Sequence, residues 1–222
     1  TEIMVTSRRI AEELCDETRF CKLVAGGLEK MKPVVGDGLF TAQSNDPKWA
    51  IAHRILMPLF GTMKIREMFN DMKDICEQMC LKWARFGESF PLDVCKNFTT
   101  LTLDTISLCT IDYRFNSFYR DGKEDPFVEG VIAVMTDAFT QSNLPDFVNN
   151  WFRHKAMADF HDHAQNLRRR TEEIIQERHR SPVERNDLLN AMLTAVDPKT
   201  GERLSDQSVV DNLLTFLIAG HE

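Results

Sequence analysis

The sequence has no apolar run of the roughly 18 residues that a membrane-spanning helix requires. It also has no basic excess, because 27 Lys and Arg stand against 34 Asp and Glu, giving a formal net charge of −7. Since proteins that bind nucleic acid neutralise phosphates with a basic surface, this balance argues against a nucleic-acid partner. With only ten Gly and eight Pro in 222 residues, and 43% hydrophobic residues, the composition is that of a globular chain.

Several motifs that would define a site are absent. The six cysteines form no Cys-x-x-Cys pair, and no Gly-x-Ser-x-Gly, His-Glu-x-x-His or P-loop sequence occurs. We therefore expect buried, reduced thiols and a cytoplasmic location. His161-x-His163 lacks the supporting Cys or carboxylate spacing of a zinc site, so it is interpreted as a solvated helix face. The run 168–170, three arginines, is interpreted as the polar side of the same helix.

Helical periodicity dominates the chain, and a mainly α fold in a single domain, or part of one, is predicted. The local signals are N-cap residues before apolar stripes, with Pro at first helical positions. The sequence predicts helices over 6–14, 20–31, 45–55, 65–85, 97–111, 125–141, 151–178, 186–196 and 205–218, and a short strand over 90–93.

The last predicted helix is the most apolar. Ser205 is a good N-cap. Val209, Leu213 and Leu217 follow at four-residue spacing, and each is followed by a second apolar residue, so one face of the predicted helix is an apolar stripe. No Pro or capping cluster closes the stripe, so we expect the sequence to be cut within a long buried helix.

Two constellations could form a binding site. Trp49 and His53 are four residues apart, which places two N–H donors on one helix face where they could hold a carboxylate. A half-buried aromatic pair is the structural alternative. Ala219 and Gly220 are small residues deep in an apolar helix, where a ligand could approach the backbone, although Gly220 could instead be a simple helix cap.

Taken in order, six segments closely resemble the cytochrome P-450 family of haem-thiolate monooxygenases, and within it the self-sufficient fatty-acid hydroxylases. In those enzymes a haem domain is fused to a diflavin NADPH reductase. The resemblance covers nearly all 222 residues and implies the cytochrome P-450 fold. The segments are Gly36-Asp37-Gly38-Leu39-Phe40-Thr41, Trp49-x-x-x-His53, Leu101-Thr102-Leu103-Asp104-Thr105-Ile106, Tyr113-Arg114-Phe115-Asn116-Ser117-Phe118-Tyr119-Arg120, Asp197-Pro198-Lys199-Thr200-Gly201-Glu202 and Phe216-Leu217-Ile218-Ala219-Gly220-His221-Glu222.

The resemblance also implies roles for matching residues. Haem would be the cofactor, with dioxygen and a fatty-acid-like molecule as substrates. The residues implied to hold haem are Trp49, His53 and Lys22 at a propionate, and Leu39, Phe60, Ile106 and Phe216 against the porphyrin. The residues implied to meet substrate are Phe40 over the distal face, Met31 and Val35 along the channel, and Met4 near its mouth. The residues implied to serve oxygen chemistry are Ala219, Gly220 and Glu222, the last as a proton-guiding acid.

One family element has no match. The axial cysteine lies in a Phe-x-x-Gly-x-x-x-Cys loop, and none of the six cysteines has that context. We therefore expect residues 1–222 to be a partial haem domain with no metal ligand of its own, cut within the long central helix that crosses the haem. The chain alone is expected to lack monooxygenase turnover, and FAD, FMN and NADPH are expected only in a reductase part.

Two other interpretations remain open from the residues alone. A cofactor-free, all-helical binding or scaffold module would explain the helix density and the acidic charge equally well. A globin-like oxygen carrier could use His53 or His154 as a ligand, although neither has a second histidine facing it at a plausible spacing.

Overall fold

The computed structural model describes residues 3–16, 18–120, 125–185 and 187–221, and within these ranges the chain is helical with no β-strand. The mainly α prediction is therefore confirmed. Two short 3₁₀ helices, Met57–Phe60 and Ser117–Tyr119, join the α-helices. The α-helices are α1 (Arg8–Leu14), α2 (Gly27–Lys30), α3 (Lys32–Val35), α4 (Pro47–Leu56), α5 (Thr62–Glu67), α6 (Phe69–Phe86), α7 (Val94–Ile111), α8 (Pro126–Asn143), α9 (Asp146–Phe152), α10 (His154–Arg180), α11 (Leu188–Thr194) and α12 (Asp206–Ala219).

The caps that the sequence predicts are present. The side chains of Asp46, Asp125, Asp187 and Ser205 each accept a hydrogen bond from a backbone N–H in the first turn of the following helix. A side-chain acceptor at this position satisfies a donor that the helix itself leaves unpaired. These local signals fixed the starts of four helices correctly.

Two predictions of secondary structure in the first half of the chain were wrong. The expected helix over 20–31 is mostly irregular, since Gly26 has a φ of +59° and only the four residues of α2 follow it. The expected strand over 90–93 is irregular chain. Neither segment is long enough for local propensity to outweigh its surroundings.

Two long predicted helices are each broken once. Met68 separates α5 from α6, and Arg153 separates α9 from α10. At Arg153 the backbone φ of −117° lies outside the helical range, so the helix axis changes direction there. The apolar stripe continued across both breaks, which is why periodicity alone missed them.

Helix α12 forms the centre of the core, as the buried stripe predicts. It packs against α3, α7, α10 and α11, and α10 packs in turn along α8. The buried side chains of α12 are Val209, Val210, Asp211, Asn212, Leu213, Leu214, Thr215, Leu217 and Ile218. A second, smaller cluster between α6 and α7 contains Ile75, Met79, Leu108 and Phe118.

The expectation about cysteines was half right. All six lie in described parts of the chain and are free thiols, but only Cys109 is buried and the other five are exposed. Burial, with the nearby charge of Asp71 second, raises the pKa of Cys109 to about 11, so this thiol is protonated at neutral pH. No helix among the described residues is long and apolar enough to cross a membrane.

Helix α4 is tied to the loop before α12 by an ion pair. The Nε and Nη2 atoms of Arg54 donate to the two carboxylate oxygens of Asp197, each at 2.7 Å. Hydrogen bonds from Arg54 and Thr200 lower the pKa of Asp197 well below its usual 3.8, despite desolvation. The pair fixes the far end of the helix that carries Trp49 and His53.

A pH dependence of stability follows from the depressed pKa of Asp197. The pair contributes fully above the unfolded-state pKa of 3.8, and the contribution is lost as the pH falls from there towards the lower folded-state pKa. We expect the free-energy difference between the parent and Asp197→Asn to be constant from about pH 7 to pH 5 and to shrink below about pH 4. Urea unfolding of both proteins at several pH values measures this difference. A difference that stays constant down to about pH 3 contradicts the lowered pKa of Asp197.

Candidate functional site: a glycine turn, an aromatic pair and an apolar cavity

Residues 36–41, here called the glycine turn, lie directly on α12. The side chain of Asp211 accepts a hydrogen bond from the N–H of Asp37 at 3.1 Å, and that of Asn212 accepts from the N–H of Leu39 at 3.0 Å. Both acceptors are buried polar side chains in an otherwise apolar helix. They satisfy the backbone donors of the turn, which therefore has a fixed register on α12.

Glycine is required in this turn by close approach. A Cβ added to Gly38 would lie 2.7 Å from the backbone oxygen of Asp211, closer than real Cβ contacts, and it would also collide with Thr215. Gly36 has a φ of +55°, which side chains rarely adopt, and it faces the Asp211 carboxylate. The turn is thus pressed against the helix backbone.

The aromatic pair of α4 lies beside the same turn. The rings of Trp49 and His53 are stacked, with centroids 4.8 Å apart and an interplanar angle of 17°. The indole N–H of Trp49 donates to the carbonyl oxygen of Leu39 at 3.1 Å, and the Lys22 ammonium donates to the same oxygen at 2.8 Å. The Lys22 ammonium also lies 5.6 Å from the centre of the Trp49 ring.

These groups form a small cationic donor cluster. Partial burial, followed by the charge of Lys32, lowers the pKa of Lys22, because desolvation disfavours its charged form. A carboxylate at this place would relieve that cost by accepting from Lys22, and it would compete with the carbonyl of Leu39 for the indole N–H of Trp49. The resemblance implied that Trp49, His53 and Lys22 share one place, and in the structure Trp49 contacts both His53 and Lys22.

The apolar residues that the resemblance places against the porphyrin come from four separate segments. The rings of Phe60 and Phe216 lie 5.4 Å apart, and Ile106 packs so closely against Gly220 that a Cβ there would approach it to 2.7 Å. Leu39, Ile106 and Phe216 are only partly buried on the flank of the main core, and Phe60 is about half exposed. This arrangement offers a partly exposed apolar face.

On the other side of the glycine turn lies a cavity of about 350 Å³. Phe40 and Ala219 face it from the turn and from the end of α12, and Met31 and Val35 form part of its wall. The remaining lining residues are Gly27, Leu28, Thr41, Met135, Ala138, Phe139, Thr215, Ile218 and His221. A cavity with so few polar groups suits an apolar ligand.

The end of α12 is held by contacts that the sequence did not indicate. The N–H of Gly220 still bonds the carbonyl of Phe216 at 2.9 Å, so Gly220 ends the helix. The hydroxyl of Thr102, from α7, donates to the carbonyl of His221, and the buried His221 ring contacts the carbonyl of Ile218. These contacts fix the backbone just beyond Ala219.

Some expected residues are not brought into the site. Met4 is 91% exposed and does not line the cavity. Glu222 lies outside the described residues. The interpretation of the run 168–170 as the polar side of its helix fails at Arg168, because this side chain is only 20% exposed and its guanidinium donates to Asp211 and to the carbonyl of Val34.

No metal centre is formed by the part of the chain that the structure describes. It contains no group of three or more His, Cys, Asp or Glu side chains placed to hold a metal ion, and His161 and His163 are no exception.

The fold defines the class of protein. The chain superposes on the crystal structure of the cytochrome P450DA heme domain with a TM-score of 0.84 and 37% sequence identity, over 96% of this chain and 45% of that one. A triple mutant of that domain, N190F/V356L/A486E, gives a TM-score of 0.86 over the same shares of the two chains. The architecture is therefore that of a P450 heme domain.

The family follows from the sequence matches. The cytochrome P450 family model matches residues 5–222, and the chain belongs to the cytochrome P450 family. It is 71% identical over 223 residues to a bifunctional cytochrome P450/NADPH–P450 reductase of Gibberella moniliformis and 60% identical over 222 residues to one of Alternaria alternata. It is 51% identical over 221 residues to a self-sufficient cytochrome P450 monooxygenase of Exserohilum turcicum. All of this chain aligns in each match, and it spans about a fifth of each relative.

Proposed function

We propose that this chain is the N-terminal part of the haem domain of a monooxygenase. The parent enzyme would insert one oxygen atom of dioxygen into a C–H bond of a fatty-acid-like substrate. Electrons would come from NADPH through the FAD and FMN of a reductase, fused or separate. The printed names of the relatives and the 45% coverage of a solved heme domain support this proposal. They favour it over the globin-like carrier and the cofactor-free scaffold. The cytoplasmic location stays a prediction.

A single observation carries the proposal: one residue connects the donor cluster to the apolar cavity. The carbonyl of Leu39 accepts from Trp49 and Lys22, while the N–H of Leu39 donates to Asn212 in α12. The next residue, Phe40, lines the cavity. A flat cofactor whose charged edge meets the donor cluster would therefore have its face beside the cavity.

The residues present fit haem. A propionate is a carboxylate, and Lys22, Trp49 and His53 offer a cation, an indole N–H and an imidazole in one place. The porphyrin is flat and apolar, and the partly exposed Leu39, Phe60, Ile106 and Phe216 offer an apolar face beside them. Haem with a cysteine thiolate ligand supplies oxygen-activating chemistry when bound. That cysteine would come from outside these residues.

The residues of the chain would then orient the substrate and exclude water. An acyl chain in the cavity would lie along Met31 and Val35, with Phe40 restricting which carbon reaches Ala219. Burial of each methylene in such a cavity contributes about 0.8 kcal/mol to binding. Glu222 would guide protons to the reacting oxygen. Met4 is proposed only as a residue near the channel mouth.

The direct test is a chimera in which this chain replaces the matching 223 residues of the Gibberella moniliformis relative. We expect the chimera to bind haem, to consume NADPH and to convert palmitic acid into hydroxylated products that mass spectrometry identifies. We expect this chain alone to give no product. A folded chimera with bound haem that leaves palmitic acid unchanged contradicts the proposed substrate class, and turnover by the chain alone contradicts the partial-domain assignment.

The donor cluster gives a sharper prediction about haem binding. The indole N–H of Trp49 donates to the carbonyl of Leu39 in the structure, and the proposed function assigns it to a haem propionate when haem is bound. A hydrogen bond to such a charged group is worth about 1.5–3 kcal/mol, so Trp49→Phe in the chimera should lower haem affinity about 10- to 100-fold. Trp83→Phe is the matched control, since its indole N–H donates to Asn97 at 3.1 Å, away from the site. Titration of the haem-free chimera measures both, and equal affinities for the two variants contradict the assignment of Trp49.

A further inference from the structure

An arginine from α10 completes the attachment of the glycine turn to α12. The Nη2 atom of Arg168 donates to the Oδ1 atom of Asp211 at 2.7 Å, and its Nη1 atom donates to the carbonyl of Val34 at 2.8 Å. The Oδ2 atom of Asp211 accepts from the N–H of Asp37. Gln207 adds a hydrogen bond to Oδ1 at 2.9 Å. One guanidinium thus joins α10, the end of α3, and α12.

The ion pair between Arg168 and Asp211 is largely buried, and its hydrogen bonds require the shape of a guanidinium. The side chain of Asp211 is 8% exposed and that of Arg168 is 20% exposed, so little water competes for their hydrogen bonds. The planar guanidinium presents two N–H groups in a fixed fork, and each of them has a different acceptor. A lysine ammonium is a point charge without that fork, so it would not reproduce the geometry of both bonds.

The contact bears directly on the position of Phe40. Asp211 holds the turn through the N–H of Asp37, and Asn212 holds it through the N–H of Leu39. Phe40 comes next in the chain and faces the cavity together with Ala219. When the Asp211 carboxylate is turned or released, the turn loses its bond at Asp37 and keeps the bonds of Leu39 to Asn212, Trp49 and Lys22, so the turn can shift about Leu39 and carry the phenyl ring with it.

We propose that Arg168, acting through Asp211, is a positioning residue that sets where Phe40 stands in the cavity and hence which substrate carbon lies beside Ala219. This role rests on the proposed function, and it assigns the control of positional selectivity to an ion pair outside the cavity lining. Neither Arg168 nor Asp211 lines the cavity.

The test uses the chimera described above with Arg168→Met, Arg168→Lys and Asp211→Asn. The matched control is Arg169→Met, because Arg169 is the next residue of α10, is 66% exposed, and pairs with side chains on its own helix. Two quantities are measured. One is the ratio of positional isomers formed from palmitic acid, and the other is amide hydrogen exchange in the peptide that contains residues 36–41.

We expect Arg168→Met to change the isomer ratio at least about threefold, because small displacements of a positioning group alter the reacting geometry. We expect exchange of the 36–41 peptide to rise at least about fivefold while peptides from α6 stay unchanged, since the loss is local. Arg168→Lys should fall between Arg168→Met and the parent, and Arg169→Met should match the parent in both quantities.

Each outcome decides the proposal. An unchanged isomer ratio in Arg168→Met, at haem content equal to that of the parent, overturns it. If Arg168→Met does not fold, Arg168→Lys and Asp211→Asn carry the same test, and unchanged ratios in both overturn it. If the parent chimera forms no product, the proposed function fails, and the role of Arg168 is then judged by hydrogen exchange alone. Exchange of the 36–41 peptide that is the same in Arg168→Met and in the parent overturns that role.

Discussion

Replacement of Arg178 by Met should destabilise the chain by about 3–5 kcal/mol, because it leaves a buried charge unpaired. The Nη1 atom of Arg178 donates to Asp187 at 3.0 Å and to the side chain of Asn190 at 2.8 Å, and its Nη2 atom donates to the carbonyl of Ile111 at 2.8 Å. The Asp187 side chain is only 1% exposed. A loss of this size is a large share of the total stability of an ordinary domain.

The same helix offers the control for this prediction. Arg180 lies two residues further along α10, its side chain is 69% exposed, and its ion-pair partner Glu177 is equally exposed. Arg180→Met should therefore change stability by less than about 1 kcal/mol. Urea unfolding of the two variants, followed by circular dichroism, gives both values. Similar losses in both variants would contradict the buried role of Arg178.

Local signals predicted much of the helix content. A capping side chain and the apolar repeat that follows it act within one or two helical turns, so Asp46, Asp125, Asp187 and Ser205 could be identified without knowledge of the fold. The break at Met68 is of another kind, because the apolar pattern runs through it. No local signal in the sequence marks this break.

The expected site residues could be grouped only through the family resemblance. Trp49 and His53 follow from helical spacing, but the contact between Lys22 and Leu39 joins segments 17 residues apart, and that between Leu39 and Asn212 joins segments 173 residues apart. Such contacts depend on how distant helices pack, so no local pattern predicts them.

One sequence signal could have revealed the attachment of the glycine turn. Asp211 and Asn212 interrupt the apolar stripe of α12 at positions that are buried in the fold. A buried polar side chain needs a partner, so two of them in succession indicate a tertiary contact. The partner on α10 is Arg168. The sequence alone does not distinguish it from Arg169 and Arg170, which follow it directly and are exposed in the fold.

The second large effect is expected at the end of α12. Ala219 faces the cavity together with Phe40. Under the proposed function, a small diatomic ligand of haem would approach from this cavity. In the chimera, Ala219→Leu adds three carbon atoms to this space while leaving the donor cluster around Trp49 and Lys22 intact. We therefore expect haem content to be unchanged and carbon monoxide affinity to fall at least about tenfold, equivalent to about 1.4 kcal/mol.

The carbon monoxide dissociation constant of the reduced Ala219→Leu chimera tests most directly whether α12 and α4 face the same cofactor. Ala84→Leu, an exposed alanine in α6, serves as the control and should bind carbon monoxide as the parent does. We expect a dissociation constant at least about ten times that of the parent at equal haem content. A dissociation constant equal to that of the parent would show that Ala219 does not face the haem, and the site described here would be wrong.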